Sequence, residues 1–234
     1  MRAIRLAAAL TVVSALLAGA GAGRAADGSV ADLVAPYLEA KERKALGTVQ
    51  ASVFADPPRP SGDPVPQASV SVVLLPASAQ FQSELDAAKA GLRESVDAYV
   101  HTVGRVETAR VDYERALLDA GGGELVRTGQ TDAQGTVRLA DVPAGDWVVL
   151  AWQEGQHLTK RYRLRETESS RYPHVPTNVT YSVVTFWRMP VAVRSGETAE
   201  VTLTGRNVWL TAGRQEGGTP AAPRGSTTPG TRRR

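Results

Sequence analysis

The chain has 234 residues, a formal net charge of +3 and no cysteine. Without cysteine it has no disulfides, no thiolate metal site, no cysteine nucleophile and no cysteine-linked lipid anchor. The length allows one β-sandwich with an insertion, or two small domains.

The first 26 residues have the composition of a secretory signal peptide. Arg2 and Arg5 precede an apolar run from Leu6 to Ala18, and small residues follow around Ala22–Ala26. We therefore predict residues 1–26 as a signal peptide. No later stretch approaches the roughly 20 apolar residues of a membrane span, so we expect no transmembrane segment. The predicted location is therefore the periplasm or the outside of the cell, and the arginine- and alanine-rich composition favours a bacterial source.

The basic residues lie mainly at the two ends of the chain. Arg2, Arg5 and Arg24 offset the whole net charge of +3, so the chain after the signal is formally neutral. Five arginines and one glutamate fall in residues 211–234, and residues 26–210 are therefore mildly acidic. We predict a disordered basic tail over 211–234 and no nucleic-acid partner, because the folded part has no basic surface.

The first elements are a lead-in and two strands. Residues 27–46 predict a short amphipathic helix or an irregular lead-in, with Pro36 against the helix. Thr48–Ala55 alternates as a strand does, a proline-rich loop ends it, and Ser69–Leu75 is the next strand.

Residues 79–120 change to a helical period. Apolar residues recur there at spacings of three and four: Phe81, Leu85, Ala88, Leu92, Val96, Tyr99, Val103, Val106, Tyr113 and Leu117. One unbroken helix would separate its ends by about 58 Å, although both ends must return to one sandwich. We therefore predict an inserted helical hairpin, with Gly91 and Gly104 as candidate turns and residues 101–105 preferred.

After residue 120 the period of two returns. We predict strands at Glu124–Thr131, Gly135–Leu139, Asp146–Gln153, Tyr162–Leu164, Val179–Trp187, 191–203 with a turn at Ser195–Glu197, and Asn207–Thr211. Strands at this spacing indicate an all-β sandwich over residues 47–210. Asp132, Gly135, Pro143 and Gly145 form its turn signature, because Asp caps backbone N–H groups, Pro fixes φ and Gly allows a positive φ.

The motifs resemble those of the carboxypeptidase regulatory-like domain, a transthyretin-like sandwich that is also called carbohydrate-binding-like. The resemblance covers about residues 47–155 and rests on Gly47, Val49, Asp56, Gly62, Pro64, Val65, Ala68, Val70, Val72, Gly155 and the stretch TDAQGTVRLADVPAGDWVV. It implies a transthyretin-like or Ig-like antiparallel β-sandwich in which the signature residues are structural. The helical insertion and residues 156–210 lie beyond the family pattern.

The predicted function is that of a non-catalytic structural or protein-interaction module of the cell envelope, without cofactor or metal. Tyr99, Val103, Val106 and Tyr113 are the candidate partner-binding residues, and the insertion is a possible self-association surface. In the other reading, the apolar stripe of the insertion packs against the sheet.

A carbohydrate-binding module is the alternative function, with Trp152 and Trp187 as candidate platforms because an aromatic face can stack on a sugar. The partner would then be a glycan instead of an envelope protein.

Two minor alternatives involve single residues. RYPHVP at 171–176, with His174, resembles the iron-binding region of intradiol dioxygenases, but Pro176 stands where a second His is needed. Lys44 and Asn207 have the chain order of an internal isopeptide pair, as in collagen-adhesin B-type domains.

Overall fold

The structure, a computed structural model, describes residues 29–57, 62–161 and 178–215. The predicted signal peptide, the strand Tyr162–Leu164, His174 and the tail beyond Gln215 lie outside these residues. The elements in chain order are α1 (Val30–Glu42), β1 (Leu46–Ala55), β2 (Val65–Pro66), β3 (Ser71–Pro76), α2 (Ala79–Lys89), α3 (Val96–Asp119), a 3-10 turn (Gly123–Leu125), β4 (Arg127–Gln130), β5 (Thr136–Pro143), β6 (Gly145–Arg161), β7 (Asn178–Val193), β8 (Thr198–Leu203), a second 3-10 turn (Gly205–Asn207) and β9 (Val208–Gln215).

The strands form two sheets that face each other. The small sheet has β1 at its centre, with β5 and β2 antiparallel to it and β8 on its other side. The large sheet has the order β4-β3-β6-β7-β9 with antiparallel neighbours. The predicted mainly-β sandwich with an inserted helical hairpin is thus confirmed.

One strand pair departs from the predicted antiparallel arrangement. β8 runs parallel to β1, from Thr48 opposite Thr198 to Val53 opposite Leu203. The predicted turn at Ser195–Glu197 is present, and it takes the chain from β7 in the large sheet to β8 in the small one. Gly47 permits this crossing, because a Cβ there would lie 2.5 Å from the Arg194 carbonyl oxygen.

The large sheet is buried on both faces, whereas the small sheet alternates. In β1 only every second residue is buried, but in β3 all residues from Val72 to Pro76 are buried. The register places Val73 opposite Leu150 and Leu75 opposite Val148. Because successive side chains alternate between faces, these four residues point away from the small sheet, towards α2 and α3.

The helical hairpin covers that outer face. Phe81 of α2 stacks on Tyr113 of α3 at 4.4 Å between ring centres. The Tyr113 hydroxyl donates a hydrogen bond of 2.9 Å to the carbonyl of Pro76 at the end of β3. The Arg110 guanidinium lies 5.2 Å from the ring centre of Trp152 in β6. The hairpin is therefore a third layer of the fold.

The turn of the hairpin lies at residues 90–95, so the preferred position at 101–105 is wrong and the Gly91 candidate is correct. Gly91 has φ +75°, which favours glycine, and Ser95 caps α3 by accepting a hydrogen bond of 2.9 Å from the Ala98 amide. Gly104 is instead a helical residue with open space around its Cβ position.

Helix α1 closes one end of the sandwich in spite of Pro36. Ser29 and Asp32 form a reciprocal capping box at its start. Tyr37 packs edge-on against Trp147 at 5.0 Å between ring centres, and its hydroxyl donates to the Asp146 carbonyl. Gly145 makes room for this contact, since a Cβ there would lie 2.6 Å from the Tyr37 ring.

Two predicted boundaries shift. The strand predicted from Glu124 begins at Arg127, because residues 123–125 form a 3-10 turn. The tail predicted from residue 211 begins too early, because β9 pairs with β7 as far as Gln215 opposite Tyr181. Among the described residues, no helix combines the length and apolar character of a membrane span.

Replacement of Phe81 by alanine tests the structural role of the hairpin. Phe81 is 1 % exposed, and we expect Phe81→Ala to lower the free energy of unfolding by about 3–5 kcal/mol. Val111→Ala is the control on α3, because Val111 is 40 % exposed, and its effect should stay within about 0.5 kcal/mol. Urea unfolding followed by circular dichroism measures both, and equal effects would contradict the packing described here.

Because Tyr37 of α1 is buried at the end of the sandwich, we expect the protein to lose stability at alkaline pH. Burial raises the pKa of Tyr37 to about 12, so the folded state favours the neutral phenol. This contribution is present below pH about 10 and is lost as the pH rises towards 12. Tyr37→Phe should cost about 1 kcal/mol at pH 8 through the lost hydrogen bond.

The same variant should lose less stability than the parent between pH 10 and 12. Burial also raises the pKa of Tyr113, so both proteins keep the decline that Tyr113 causes. Urea unfolding at pH 8 and pH 11 measures the difference. The same decline in both proteins would show that Tyr37 does not contribute to it.

Candidate functional site

Three of the four predicted partner-binding residues are buried inside the molecule. Val103, Val106 and Tyr113 are at most 5 % exposed. The apolar stripe of α3 is used to cover the large sheet, so these three residues cannot form a partner or self-association surface. Tyr99, one turn before Val103, remains partly exposed.

Neither of the two predicted carbohydrate platforms, Trp152 and Trp187, has a fully exposed ring. Trp187 is 4 % exposed, and its indole N–H donates a hydrogen bond of 2.8 Å to the Thr204 carbonyl. It lies between the two sheets, which contradicts its prediction as a surface platform. Trp152 is partly buried, and Arg110 covers one face of its ring.

The turn signature has structural contacts. The Asp132 carboxylate accepts hydrogen bonds of 2.9 Å from the amides of Gln134 and Thr136. Gly135 has φ +73°, and a Cβ there would lie 2.5 Å from the Val53 carbonyl oxygen. Pro143 accepts a hydrogen bond of 2.9 Å from the Trp147 indole. Together these contacts shape the two ends of β5.

The described residues support neither the isopeptide bond nor a metal site. Lys44 precedes β1 and Asn207 follows β8, and because these strands are parallel, the two residues lie at opposite ends of the pair. An isopeptide bond between them is therefore excluded. His101 lies on α3 beside Asp97, while His157 lies on β6. Nowhere in residues 29–57, 62–161 and 178–215 do three His, Cys, Asp or Glu residues group as metal ligands would.

A large groove opens where the helical layer meets the edge of the large sheet. We call it the Trp209 groove and define it by the connection from Lys89 to Val96, by Tyr99 and Tyr181, and by Val208–Thr211 of β9. Its volume is about 1060 Å³. Four consecutive residues of β9 line it. Since successive side chains of a strand point to opposite faces, the groove follows the edge of the strand and not one face.

Trp209 is positioned by cations from two elements. The Arg188 guanidinium lies 4.8 Å and the Lys89 ammonium 5.4 Å from its ring centre, both within cation–π range. Lys89 also donates a hydrogen bond of 2.8 Å to the Trp209 carbonyl. Arg188 in turn pairs with Asp86 of α2 at 3.0 Å. Trp209 thus joins the turn of the hairpin to the sheet edge.

Two tyrosines line the groove beside the helix. Tyr99 of α3 meets Tyr181 of β7 edge-on at 5.6 Å between ring centres. Burial, and to a lesser extent the neighbouring Tyr181, raises the pKa of Tyr99. A Cβ at Gly213 would lie 2.9 Å from Tyr99 and 3.0 Å from Tyr181. Glycine is therefore required at this position if both rings are to keep their places.

The rim of the groove carries a small positive charge. Lys89, Arg93 and Glu94 line it, and Arg93 is exposed and forms no ion pair or hydrogen bond with the described residues. Beyond Tyr99, Arg214 of β9 contacts Glu107 of α3 and lies 3.3 Å from Glu154 of β6. Those two carboxylates are already paired. In the described part of the chain, the rim residues Lys89, Arg93 and Glu94 have no ion-pair partner, and together they leave a net charge of +1 at the rim.

Sequence reasoning identified Tyr99 but missed Trp209 and Tyr181. The sequence predicts a final strand at Asn207–Thr211, but it does not show that this strand lies at the edge of a sheet. The indoles of Trp187 and Trp209 have different partners because the β7–β9 register shifts between Phe186 and Trp187. No local pattern predicts that irregularity.

Comparisons with known proteins do not assign a family. No protein-family model matches the sequence, and no curated protein matches it. A candidate carbohydrate-binding protein of Pseudomonas aeruginosa is similar with 15 % identity and a TM-score of 0.36, over 68 % of this chain and 88 % of that one.

Two pilus proteins are also similar. A minor pilin of Streptococcus agalactiae has 9 % identity and a TM-score of 0.25, over 80 % of this chain and 100 % of that one. The pilus backbone protein of Streptococcus pneumoniae has 17 % identity and a TM-score of 0.19, over 44 % of this chain, which spans only 29 % of that protein. At these scores the similarities indicate no common function.

Two glycine substitutions test the geometry of the groove. Gly213→Ala must displace Tyr99 or Tyr181, and we expect it to lower the free energy of unfolding by about 1–3 kcal/mol. Gly104→Ala is the matched control, because a Cβ there meets nothing within 4 Å and alanine favours a helix by about 0.5–1 kcal/mol. Opposite signs in urea unfolding are expected, and a neutral Gly213→Ala would contradict the described contact.

Proposed function

We propose that this protein is an exported, non-catalytic module of the bacterial cell envelope that binds a partner protein through the Trp209 groove. The proposal includes the signal peptide at residues 1–26, a periplasmic or secreted location and a carboxypeptidase regulatory-like sandwich over 47–210. In this proposal the helical hairpin is a structural layer, and the partner contacts its turn instead of its apolar stripe.

The observation that carries the proposal is the position of the groove along an edge strand. β9 pairs with β7 on one side, and among the described strands none pairs with its other side. The groove brings this edge together with partly exposed aromatic side chains, Tyr99, Tyr181 and Trp209. Aromatic residues are enriched in protein interfaces because they bury a large area at a low cost in conformational entropy.

The three aromatic residues also favour a second candidate function, carbohydrate binding in the same groove. Stacking on a sugar needs a free ring face. Trp209 already has cations near its ring, and Tyr99 meets Tyr181 edge-on. These contacts occupy part of the aromatic surface on which a sugar would stack, so we place the protein partner first.

Site-specific photo-crosslinking in living cells of the native host tests the proposed function. A photoreactive amino acid replaces Arg93 at the rim of the groove, and in a control it replaces Arg115. Arg115 is exposed on α3, and most of that helix lies between the two positions, so they lie roughly 30 Å apart. We expect a protein adduct from position 93 and none from position 115.

Equal adducts from both positions, or none from position 93, would contradict a specific protein interface at the groove. A glycan adduct from position 93 would support the second candidate. Binding of the same glycan to the purified protein, with loss of binding in Tyr181→Ala, would then establish it.

A further inference from the structure

The partner of the groove has a definable chemistry, and this inference rests on the proposed function. We infer that the groove binds an acidic peptide segment in extended conformation, which adds to the free edge of β9 as a further strand. The backbone of β9 supplies the hydrogen bonds, Arg93 pairs with a carboxylate, and the apolar floor accepts every second side chain of the segment.

The strand edge supplies the first part of the argument. A terminal strand presents a row of backbone N–H and C=O groups on its outer side, and an extended peptide can pair with them. At residues 208–211 the groove runs along this edge, and Leu92 and Val96 of the helical layer also line it. The opening therefore combines a strand edge with apolar side chains, as strand addition requires. The Trp209 carbonyl already accepts a hydrogen bond from Lys89, so the segment pairs with the other outer backbone groups of β9 or displaces the Lys89 ammonium.

The depth of the groove supplies the second part. Leu210 is 3 % exposed at its floor, whereas Val208, Leu92 and Val96 are partly exposed. An extended segment places alternate side chains on one side. Apolar residues at every second position can thus contact this floor while the residues between them face solvent and the rim.

The net charge of the rim determines which net charge the bound segment should have. Lys89 and Arg93 outnumber Glu94, while the nearby Arg188 is neutralised by Asp86. Arg93 is exposed and has no carboxylate partner in the described part of the chain. A segment with Asp or Glu at the solvent-facing positions complements this rim, and a basic segment is repelled.

The same charge argues against the end of this chain as the occupant. Residues 216–234 contain four arginines and one glutamate, so they have the same sign as the rim. An acidic segment of another protein fits better, and a second copy of this chain is distinguishable by its mass.

Selection from a displayed library of random twelve-residue peptides tests the inference on the full mature chain. We expect the selected peptides to be acidic and to alternate apolar with polar residues. Labelled copies should lose at least about five-fold in affinity on Arg93→Glu, because one favourable charge pair becomes repulsive. Arg115→Glu is the matched control with the same change of charge and should leave the affinity unchanged.

N-methylation of alternate peptide amides tests strand pairing directly. Methylation at one set of alternate positions should weaken binding by about ten-fold or more, and methylation at the other set should have little effect. Nuclear magnetic resonance should show new protection of β9 amides against hydrogen exchange when the peptide binds. Light scattering of the free protein measures whether it is a monomer.

Several outcomes of these experiments would contradict the inference. Selected peptides without acidic residues, an equal response to Arg93→Glu and Arg115→Glu, no effect of N-methylation, or no selected peptides would each overturn the inference. A dimer whose interface includes β9 would overturn it too. If crosslinking from position 93 still yields a protein adduct, the proposed function survives this failure. If neither experiment detects a partner at the groove, both fall.

Discussion

The structure depends on one constraint, which is that the large sheet is apolar on both faces. Val72 and Leu74 of β3 face the small sheet, while Val73 and Leu75 face the helices, and all four are at most 1 % exposed. A sheet of this kind needs a cover on each side, because uncovered apolar surface costs about 25 cal/mol per Å². The small sheet is one cover and the α2–α3 hairpin is the other.

That constraint also limits where the proposed binding surface can lie. The apolar stripe of α3 covers the sheet, and the proposed binding surface lies at the boundary where this cover ends. There the short α2 turns back beside β9, and Lys89, Trp209 and Arg188 hold the turn against the sheet edge. The groove is open because the hairpin covers the face of the sheet but leaves the edge of its last strand unpaired.

The sequence predicts the architecture well because its signals are local. Alternation in β1, helical spacing after residue 79 and turn residues around β5 each act within a few residues. The misplaced hairpin turn shows where such signals end: Gly91 and Gly104 are alike as residues, and only Ser95 as a cap distinguishes them. Burial of Val103 and the edge position of β9 depend on contacts between distant segments, so no local pattern reveals them.

The signature stretch explains why the resemblance informs on fold and not on ligand. Its residues act at the two ends of β5. Asp132 and Gly135 shape the turn before this strand. After it, Gly145 and Trp147 contact Tyr37 of α1. None of them lines the Trp209 groove. The groove is built from the helical insertion and from residues 181–211, the two parts of the chain that lie outside the family pattern. The specificity that we propose for it could therefore change without any change in the residues that specify the sandwich.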